Sequence, residues 1–385
     1  MELTLVIGLL SVVLASTGDP LTNNTVELSS AEDIDANTEI QLAFVVFRHG
    51  DRTPDLEELD LYPTYEDKSK IFFPYGVKAL TNKGKQRGFS IGTYLRRRYG
   101  GLVSKLYLPD EIMARTTNYA RTKMTVLTAL AALYPPPPAQ RWNPILNWQP
   151  VPYDTPSYEN DYLLYWYNCP RYLWLRNKMY ELPDVKKRTE PYQGLFEYLQ
   201  KHAGTNVNTT EAVFYLDNLF QALKNVGLNP PKWAEEVMPD IKKVTKIEYA
   251  IEFYTDELIR LAAGVLIEEI LNVTSSYTSG DDDQPKLRLY SAHENNVAAI
   301  MAATRCFEPH QPNYGATFSL ELRKTKATGK YGFLAVYSSD AGRPEKILQM
   351  KGCDQLLCDY DQFKSLVQNL AYSLHELQDQ CTILD

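Results

Sequence analysis

The chain has 385 residues, of which 44% are hydrophobic and 23% are charged, a balance typical of a globular protein with a large core. A formal net charge of −8 at pH 7, without a basic stripe among the aromatic residues, argues against partners such as nucleic acid or an anionic membrane surface. The sequence also has no glycine-rich phosphate loop, no dinucleotide-binding fingerprint and no cluster of metal ligands, so we expect neither a cofactor nor a metal.

Residues 1–17 are predicted to be a signal peptide, because an apolar stretch over 3–15 is followed by small residues. This stretch is short for a membrane span and no other candidate span follows, so we expect no membrane anchor. Three sequons, which start at Asn23, Asn208 and Asn272, fit passage through the secretory pathway. The sequence therefore predicts a secreted glycoprotein, with a lumenal or lysosomal location as the alternative.

The first predicted strand covers residues 40–47, IQLAFVVF, a continuous apolar run typical of a strand that is buried on both faces. It ends abruptly in Arg48 and His49, and Arg52 follows within the stretch FRHGDRTP. Taken alone, such a pattern is more often a surface turn than a catalytic motif. Its functional interpretation therefore depends on whether other strands end in the same way.

Two later segments repeat the pattern. Residues 111–114, EIMA, form a short strand candidate that ends in Arg115 and precedes a strong helical pattern, TTNYARTKMTVLTALAALY. Residues 286–292, KLRLYSA, form a third candidate, which ends in His293 and Glu294 and precedes the helical pattern NNVAAIMAAT. All three units thus place charged or titratable side chains at the carboxyl end of a strand.

Strands that alternate with helices predict an α/β fold, with a mostly parallel sheet in the middle of three layers. Ligands of such sheets bind outside the carboxyl ends of the strands, where helix N-termini favour anions, so we expect one shared anion pocket. The α/β domain is predicted over 38–139 and 246–385. Residues 140–245 are interpreted as a mainly helical inserted domain, because a stretch rich in Trp, Tyr and Pro is followed there by several helical patterns.

The five cysteines suit a secreted chain with two disulfides and one leftover thiol. Cys353 and Cys358 are close enough in sequence to close a small loop, and Cys169 with Cys381 would then join the middle of the chain to its C-terminus. Cys306 is the candidate for the free thiol, although spacing alone leaves the pairing open.

The residues at the three strand ends form a complete set for phosphoryl transfer without a metal. This reaction needs positive charge around the phosphoryl oxygens, a nucleophile in line with the leaving group and a proton donor for that group. His49 is the candidate nucleophile, because neighbouring arginines disfavour the imidazolium and keep the ring neutral. The other candidate roles are phosphate binding by Arg48, Arg52 and Arg115, donation to a phosphoryl oxygen by His293, and proton transfer by Glu294.

These motifs are similar to those of a known family. FRHGDRTP resembles the active-site signature of the histidine acid phosphatases, in the branch of the prostatic, lysosomal and insect venom acid phosphatases. The segments LTNKGKQRGFSIGTYLRRRYG, ARTTNYARTKMTVLTALAALYPP, WNPILNWQPVPYDT, YNCPRY and LYSAHENNV resemble further segments of that branch. The resemblance spans about residues 42–381.

The resemblance implies a metal-independent acid phosphatase that hydrolyses phosphate monoesters through a covalent phosphohistidine on His49. It implies that Glu294 is the proton donor and that the phosphate is held by Arg48, Arg52, Arg115 and His293. It also implies an α/β fold of the histidine phosphatase type with a helical companion.

The resemblance further implies the disulfides Cys169–Cys381 and Cys353–Cys358. Another bridge of the family would involve a cysteine near Cys306, for which this sequence has no partner. Dimers occur in the resembling branch, so a homodimer is open by analogy alone.

One residue departs from the family pattern, since the branch has Asp where this chain has Glu294. The carboxylate is kept on a side chain one methylene longer, and displacing a catalytic group by about 1 Å lowers rates on the order of a hundredfold. Two alternatives to a broad enzyme acting on small phosphate monoesters or phosphoproteins therefore stay open. One is a feeble or non-catalytic secreted paralog that binds anions or a partner, and the other is a phosphatase of the inositol-polyphosphate type.

Overall fold

The computed structural model describes residues 30–64, 68–281 and 283–382. The predicted signal peptide and the sequon at Asn23 lie outside these residues. Asn208 and Asn272 are exposed, so the prediction that they carry glycans is compatible with their positions. Within the described residues, one sheet is formed by the strands β1 (Thr38–Arg48), β2 (Ile112–Thr116), β3 (Leu287–Ala292), β4 (Thr317–Thr325), β5 (Tyr331–Ser338), β6 (Glu345–Leu348) and β7 (Leu357–Asp359).

Helices surround this sheet. In chain order the described part of the protein contains α1 (Ala31–Asn37), α2 (Leu56–Asp60), α3 (Lys68–Ile71), α4 (Asn82–Tyr99), α5 (Ala120–Leu133), α6 (Pro170–Met179), α7 (Pro183–Thr189), α8 (Gln193–Ala203), α9 (Thr210–Asn225), α10 (Lys232–Glu252), α11 (Asp256–Thr278), α12 (Glu294–Ala303), α13 (Tyr360–Val367) and α14 (Leu374–Cys381). Among these helices, none combines the length and the apolar character that crossing a bilayer requires.

The sheet is mixed, with the strand order β2-β3-β1-β4-β5-β6 and with β7 paired to the first residues of β5. The strands β1, β2 and β3 are parallel to one another, whereas β4, β5, β6 and β7 pair antiparallel with their neighbours. The parallel strands are the three whose ends carry the predicted site. The prediction of an α/β fold with a helical companion is confirmed.

Both faces of β1 are covered by helices. The even-numbered side chains from Leu42 to Val46 belong to a core shared with α11 and α12. The odd-numbered side chains from Ala43 to Phe47 belong to a second core shared with α4 and α5. Since successive side chains of a strand point to opposite faces, this arrangement requires an apolar residue at every position and explains the continuous apolar run.

The three parallel strands end at the same level of the sheet. In register, Arg48 lies opposite Ala292, and Thr116 lies opposite Ser291. The residues that follow therefore leave the sheet side by side, and α5 and α12 begin just beyond them. This edge of the sheet is the place at which the sequence predicts an anion pocket.

Helices α8, α9 and α10 build a separate apolar core together with Leu59 and Phe72 from the segment after β1. The domain boundary predicted at residue 245 falls inside α10, which continues to Glu252. The last turns of α10, including Tyr249 and Ile251, pack into the core shared with α11 and α12. This helix thus connects the helical part of the protein to the sheet part.

The structure contains the disulfides Cys169–Cys381 and Cys353–Cys358, and the half-buried Cys306 has a free thiol. We expect the first of these to contribute the larger stabilisation, because it links residues 212 positions apart. A double Cys169→Ala and Cys381→Ala change should lower the free energy of unfolding by about 2–5 kcal/mol. Without the disulfide the unfolded chain is no longer closed into a long loop, so its conformational entropy is higher. Denaturant titration measures this loss, with Cys306→Ala as the control, and an unchanged midpoint in the double variant would contradict it.

Candidate active site

The turn after β1 fixes the backbone of His49. Its N–H donates to Ala292 O of β3 at 3.0 Å, and Gly50 N donates to Thr125 Oγ1 of α5 at 3.1 Å. A Cβ atom on Gly50 would lie 2.2 Å from Gly84 O of α4, so a larger residue does not fit where α4 crosses this turn. The glycine of the motif therefore allows the close packing that positions the histidine.

The imidazole of His49 is buried, with 1% of the residue exposed. Its Nδ1 atom lies 2.8 Å from Gly50 O. Because a carbonyl oxygen only accepts hydrogen bonds, we assign the proton to Nδ1, which leaves a lone pair on Nε2. Arg121 Nε donates to this Nε2 atom at 3.1 Å. The unprotonated nitrogen of the ring thus faces a guanidinium group.

The surroundings of His49 also keep its ring neutral. Burial lowers the pKa of His49 well below its usual range, and the charges of Arg121, His293, Arg48 and Arg52 add to this effect. A neutral imidazole is the form that can act as a nucleophile. His49 is therefore available for attack even in acidic solution.

Arg48, the last residue of β1, is fully buried next to this histidine in the chain. Its Nη1 atom donates to Pro312 O at 2.7 Å, and its guanidinium carbon lies 3.9 Å from the centre of the Tyr314 ring. Its Nε atom is 2.9 Å from Glu294 Oε2, an ion pair that lacks hydrogen-bond geometry. Arg48 therefore supplies a fixed positive charge to the site and holds the carboxylate of Glu294, the first residue of α12.

Arg52 is paired with a carboxylate that sequence reasoning did not identify. Its Nη1 and Nη2 atoms donate to the two oxygens of Glu58 at 2.8 and 2.5 Å, and both side chains are buried. Glu58 belongs to α2, which begins shortly after the motif. Arg52 Nε has no hydrogen-bond partner in the part of the chain that the structure describes.

His293 is the N-terminal cap of α12. Its backbone N–H donates to Asn296 Oδ1 at 3.1 Å. Its Nε2 atom lies 3.0 Å from Thr117 Oγ1, which in turn donates to Thr122 Oγ1 at 3.0 Å, so we assign the imidazole proton to Nε2. Burial lowers the pKa of His293 well below its usual range, and the charge of Arg121 adds to this effect.

The structure does not bring Arg115 to the site. The strand β2 continues to Thr116, and its side chains alternate between faces, so Arg115 shares a half-buried face with Met113. Its Nη2 atom donates to Asp161 Oδ1 at 2.9 Å. Arg115 is absent from the residues that line the cavity beside His49.

Arg121 occupies the position that sequence reasoning assigned to Arg115. It lies in the first turn of α5 and is buried against His49, with two contacts of 3.4 Å to the carboxylate of Asp55. The sequence feature that indicates Arg121 is the segment ARTTNYART, which contains a second arginine at the start of the predicted helix. Helix N-termini at the carboxyl edge of a sheet are the usual place for groups that bind anions.

The ligand atoms of His49, His293 and Glu294 lie within 4.8 Å of one another, a spacing that metal ligands also show. The guanidinium groups of Arg48 and Arg121 contact two members of this group directly. Their positive charges oppose a cation at this position and favour an anion. The donor set therefore fits a phosphoryl group better than a metal ion.

A cavity of about 360 Å³ opens beside these residues. The sequence-predicted residues that line it are His49, Arg52, His293 and Glu294, and Arg121 joins them. Arg48 is buried and is not among the residues that line the cavity. The geometry thus combines a neutral imidazole, a carboxyl group and buried arginines around one space large enough for a small phosphate ester.

Comparison with known proteins identifies relatives over most of the chain. Residues 39–333 match the model of the histidine phosphatase superfamily (branch 2). Venom acid phosphatase Acph-1 of Apis mellifera is 30% identical over 347 residues, which cover 89% of this chain and 88% of the relative. Prostatic acid phosphatase of Homo sapiens is 32% identical over 339 residues, with 86% and 85% coverage. Lysosomal acid phosphatase of Xenopus laevis is 28% identical over 361 residues, with 92% and 82% coverage.

Solved structures with a similar fold include two phytases. The apo form of Hafnia alvei phytase has a TM-score of 0.63 at 15% sequence identity, covering 90% of this chain and 98% of the phytase. The phytase of Klebsiella sp ASR1 has a TM-score of 0.66 at 13% identity, covering 88% and 98%. At these identities the likeness concerns the fold alone.

Proposed function

The chain belongs to branch 2 of the histidine phosphatase superfamily and is an acid phosphatase, and from this premise we propose that it hydrolyses phosphate monoesters through a covalent phosphohistidine on His49. The observation that carries the proposal is the Nε2 atom of His49. It is an unprotonated nitrogen beside the guanidinium of Arg121 and near the carboxyl group of Glu294. Nucleophile, positive charge and proton donor thus meet at one point.

In the first step Nε2 of His49 attacks the phosphorus atom, an N–P bond forms and the ester P–O bond breaks. The protonated carboxyl group of Glu294 gives its proton to the leaving oxygen, so the product leaves as a neutral alcohol. Positive charge around the phosphoryl oxygens stabilises the charge that they carry in the transition state.

In the second step the carboxylate of Glu294 takes a proton from water, and the resulting nucleophile attacks the phosphohistidine. The N–P bond breaks, inorganic phosphate leaves, and both His49 and the protonated Glu294 are regenerated. The same carboxyl group therefore serves as acid and then as base. Its contact with Arg48, 2.9 Å from Nε to Oε2, is an ion pair whenever Glu294 is ionised and positions the carboxyl group beside His49.

In this proposal the phosphate is held by Arg52, Arg121 and His293, which line the cavity, while the buried Arg48, which does not line it, adds further charge. His293 would turn its Nε2 proton from Thr117 towards a phosphoryl oxygen. Arg115 is left out, because its guanidinium pairs with Asp161 instead.

The charges of the cavity favour a substrate with a single phosphate. Its wall carries four cationic side chains, Arg52, Lys78, Arg121 and Arg176, against six acidic ones, Asp55, Glu57, Glu58, Glu211, Glu252 and Glu294. Each of these cations is already paired with a carboxylate of the same wall, so none is left over to balance a second or third phosphate. The inositol-polyphosphate alternative is therefore not favoured, and neither is a non-catalytic paralog, since the relatives named above are acid phosphatases.

Secretion belongs to the proposal as well. Its support is the apolar stretch over residues 3–15, the three sequons and the two disulfides, which form in oxidising compartments. The detection of the mature protein in culture medium, with an N-terminus near residue 17 and glycan on Asn208 or Asn272, tests this part.

Hydrolysis of 4-nitrophenyl phosphate between pH 4 and 8, with EDTA present, tests the function. We expect turnover that resists EDTA and is fastest in acid. Because the pKa of His49 lies well below its usual range, the ring stays neutral as the pH falls through about 6.5, and kcat/KM should not decrease between pH 7 and pH 5. A decrease centred near pH 6.5, or loss of turnover in EDTA, would contradict the proposal.

A further inference from the structure

The cavity extends past the catalytic groups into a second region, which we call the leaving-group pocket. It is defined by Trp166, Tyr167, Arg176, Glu211, Tyr215 and Glu252. These residues come from the segment before α6, from α6 itself and from α9 and α10. Aromatic rings and carboxyl groups therefore meet in a part of the cavity to which the phosphate chemistry assigns no role.

Glu252, the last residue of α10, is the unusual member of this pocket. Only 2% of it is exposed. Its Oε1 atom accepts a hydrogen bond from Asn295 Nδ2 at 3.2 Å, while its Oε2 atom has no hydrogen-bond partner among the described residues. Leaving a buried carboxylate oxygen without a partner costs free energy, so such an atom is most readily explained by a ligand that supplies the missing donor.

The positive charge of Arg176, the arginine of the pocket, does not neutralise the carboxyl group of Glu252. Arg176 Nη2 donates to Glu248 Oε1 at 2.6 Å and to Glu211 Oε1 at 2.8 Å. Its single positive charge is thus already matched by two carboxylates. With Glu252 included, three acidic side chains surround one guanidinium, and the pocket favours a cation over an anion.

Glu252 is placed to contact the alcohol portion of the substrate, which is the leaving group. Under the proposed function, on which this inference rests, Glu294 touches the ester oxygen of the departing alcohol. The next residue, Asn295, is the one that contacts Glu252. Because Glu294, Asn295 and Glu252 line one cavity, the substituent of the alcohol can extend from Glu294 to Glu252 and the aromatic rings beside it.

We infer that the leaving-group pocket binds a positively charged amino group on the alcohol portion of the substrate, so that aminoalkyl phosphates are preferred over uncharged alkyl phosphates. An ammonium group can donate to Glu252 Oε2 and lie against the rings of Tyr167, Tyr215 and Trp166. Both contacts are stronger when the cation is removed from water, as it is in this pocket.

The preference should increase with pH. Burial raises the pKa of Glu252 to about 8, Arg176 from α6 opposes this effect, and the carboxylates of Glu248, Glu294 and Glu211 add to it. An ammonium group binds the ionised form of Glu252, so a protonated Glu252 must first lose its proton. This deprotonation costs more free energy at pH 5 than at pH 7.5, and the ammonium group therefore binds more weakly at pH 5.

The test compares kcat/KM for 3-aminopropyl phosphate and 3-hydroxypropyl phosphate, which differ only in the terminal group, with 4-nitrophenyl phosphate as a general substrate. We expect the amino ester to be favoured about tenfold at pH 7.5 and less at pH 5. Glu252→Gln, which keeps the shape and removes the charge, should reduce the preference to less than about twofold. Glu236→Gln, the same change at an exposed position of α10, should leave the preference as it is.

Equal kcat/KM values for the two esters in the unaltered enzyme would overturn the inference, as would a preference that survives in Glu252→Gln. If Glu252→Gln does not fold, Glu211→Gln removes another charge of the pocket and should also lower the ratio. Hydrolysis of 4-nitrophenyl phosphate separates the two proposals. Its absence would refute the proposed function, whereas its presence without an amino preference would refute this inference alone.

Discussion

His49→Ala should lower kcat for 4-nitrophenyl phosphate by at least about 10⁴-fold, because in the proposed mechanism the variant lacks the atom that forms the covalent intermediate. The remaining arginines could still hold phosphate next to water. We expect no other described side chain to take the place of Nε2, since the Nε2 atom of His293 carries a proton that it donates to Thr117.

The fold should survive this change. The contacts of the His49 side chain are to Gly50 O, Arg121 and the rings of His293 and Tyr314, all within the site. The melting temperature and the binding of vanadate show whether the variant is folded with an intact phosphate site. A folded variant that keeps more than a few per cent of the activity would show that another group is the nucleophile.

His310→Ala provides the matched control. Burial also lowers the pKa of His310, whose nitrogens lie 2.7 Å from Glu308 O and 2.9 Å from Tyr337 OH. It does not line the cavity. We expect its replacement to leave kcat nearly unchanged, which would separate a histidine with a perturbed pKa from a histidine in a catalytic position.

Partitioning experiments address the intermediate itself. If every substrate forms the same phosphohistidine, water and an added alcohol compete for one species, and the ratio of alkyl phosphate to inorganic phosphate does not depend on the original leaving group. Aryl phosphates with different leaving groups should give one ratio. Ratios that change with the leaving group would indicate direct attack by water and would remove the covalent step from the mechanism.

The sequence predicted most of this site because the predicted residues lie at the ends of parallel strands. The apolar run before Arg48 identifies a strand covered on both faces, and the segment before His293 identifies a second strand. The carboxyl ends of parallel strands fall at the same edge of the sheet, so the sequence predicts that two segments far apart in the chain lie close together in the fold. That inference needs no knowledge of the loops.

The partners of these residues could not be predicted in the same way. Glu58 contacts Arg52 because α2 packs against the segment that contains the motif. Glu252 contacts Asn295 because the end of α10 packs against the start of α12. Both encounters depend on how helices pack against one another, which hydrophobic periodicity does not specify. For the same reason, the boundary predicted at residue 245 fell within a helix.

Arg115 lies outside the cavity for a local reason. The sequence predicts a strand over 111–114 that ends before Arg115, whereas β2 includes Arg115 and ends at Thr116. A side chain inside a strand points to one face of the sheet, and only residues beyond its end reach the crevice. Arg121 does so because it stands in the first turn of α5, the helix that starts at this edge.

Arg121→Ala and Arg115→Ala should therefore have very different effects. We expect the first to lower kcat/KM for 4-nitrophenyl phosphate by about 10²–10³-fold, because it removes a buried donor that contacts the transferring group, and to weaken inhibition by phosphate. The second should lower kcat/KM by less than about fivefold, because Arg115 pairs with the buried Asp161 and does not line the cavity.

Part of the loss in Arg121→Ala could come from the uncovered charge of Asp55, which lies 3.4 Å from the guanidinium. The double variant with Asp55→Asn removes that repulsion, and it should recover only a fraction of the activity if Arg121 itself binds the phosphoryl group. Arg121→Lys should keep some affinity for phosphate but not the rate, since a lysine supplies charge without the planar pair of donors. Similar losses in Arg121→Ala and Arg115→Ala would instead mean that the two arginines act through the field that they share, and the contact between Arg121 and His49 would then not be the basis of phosphate binding.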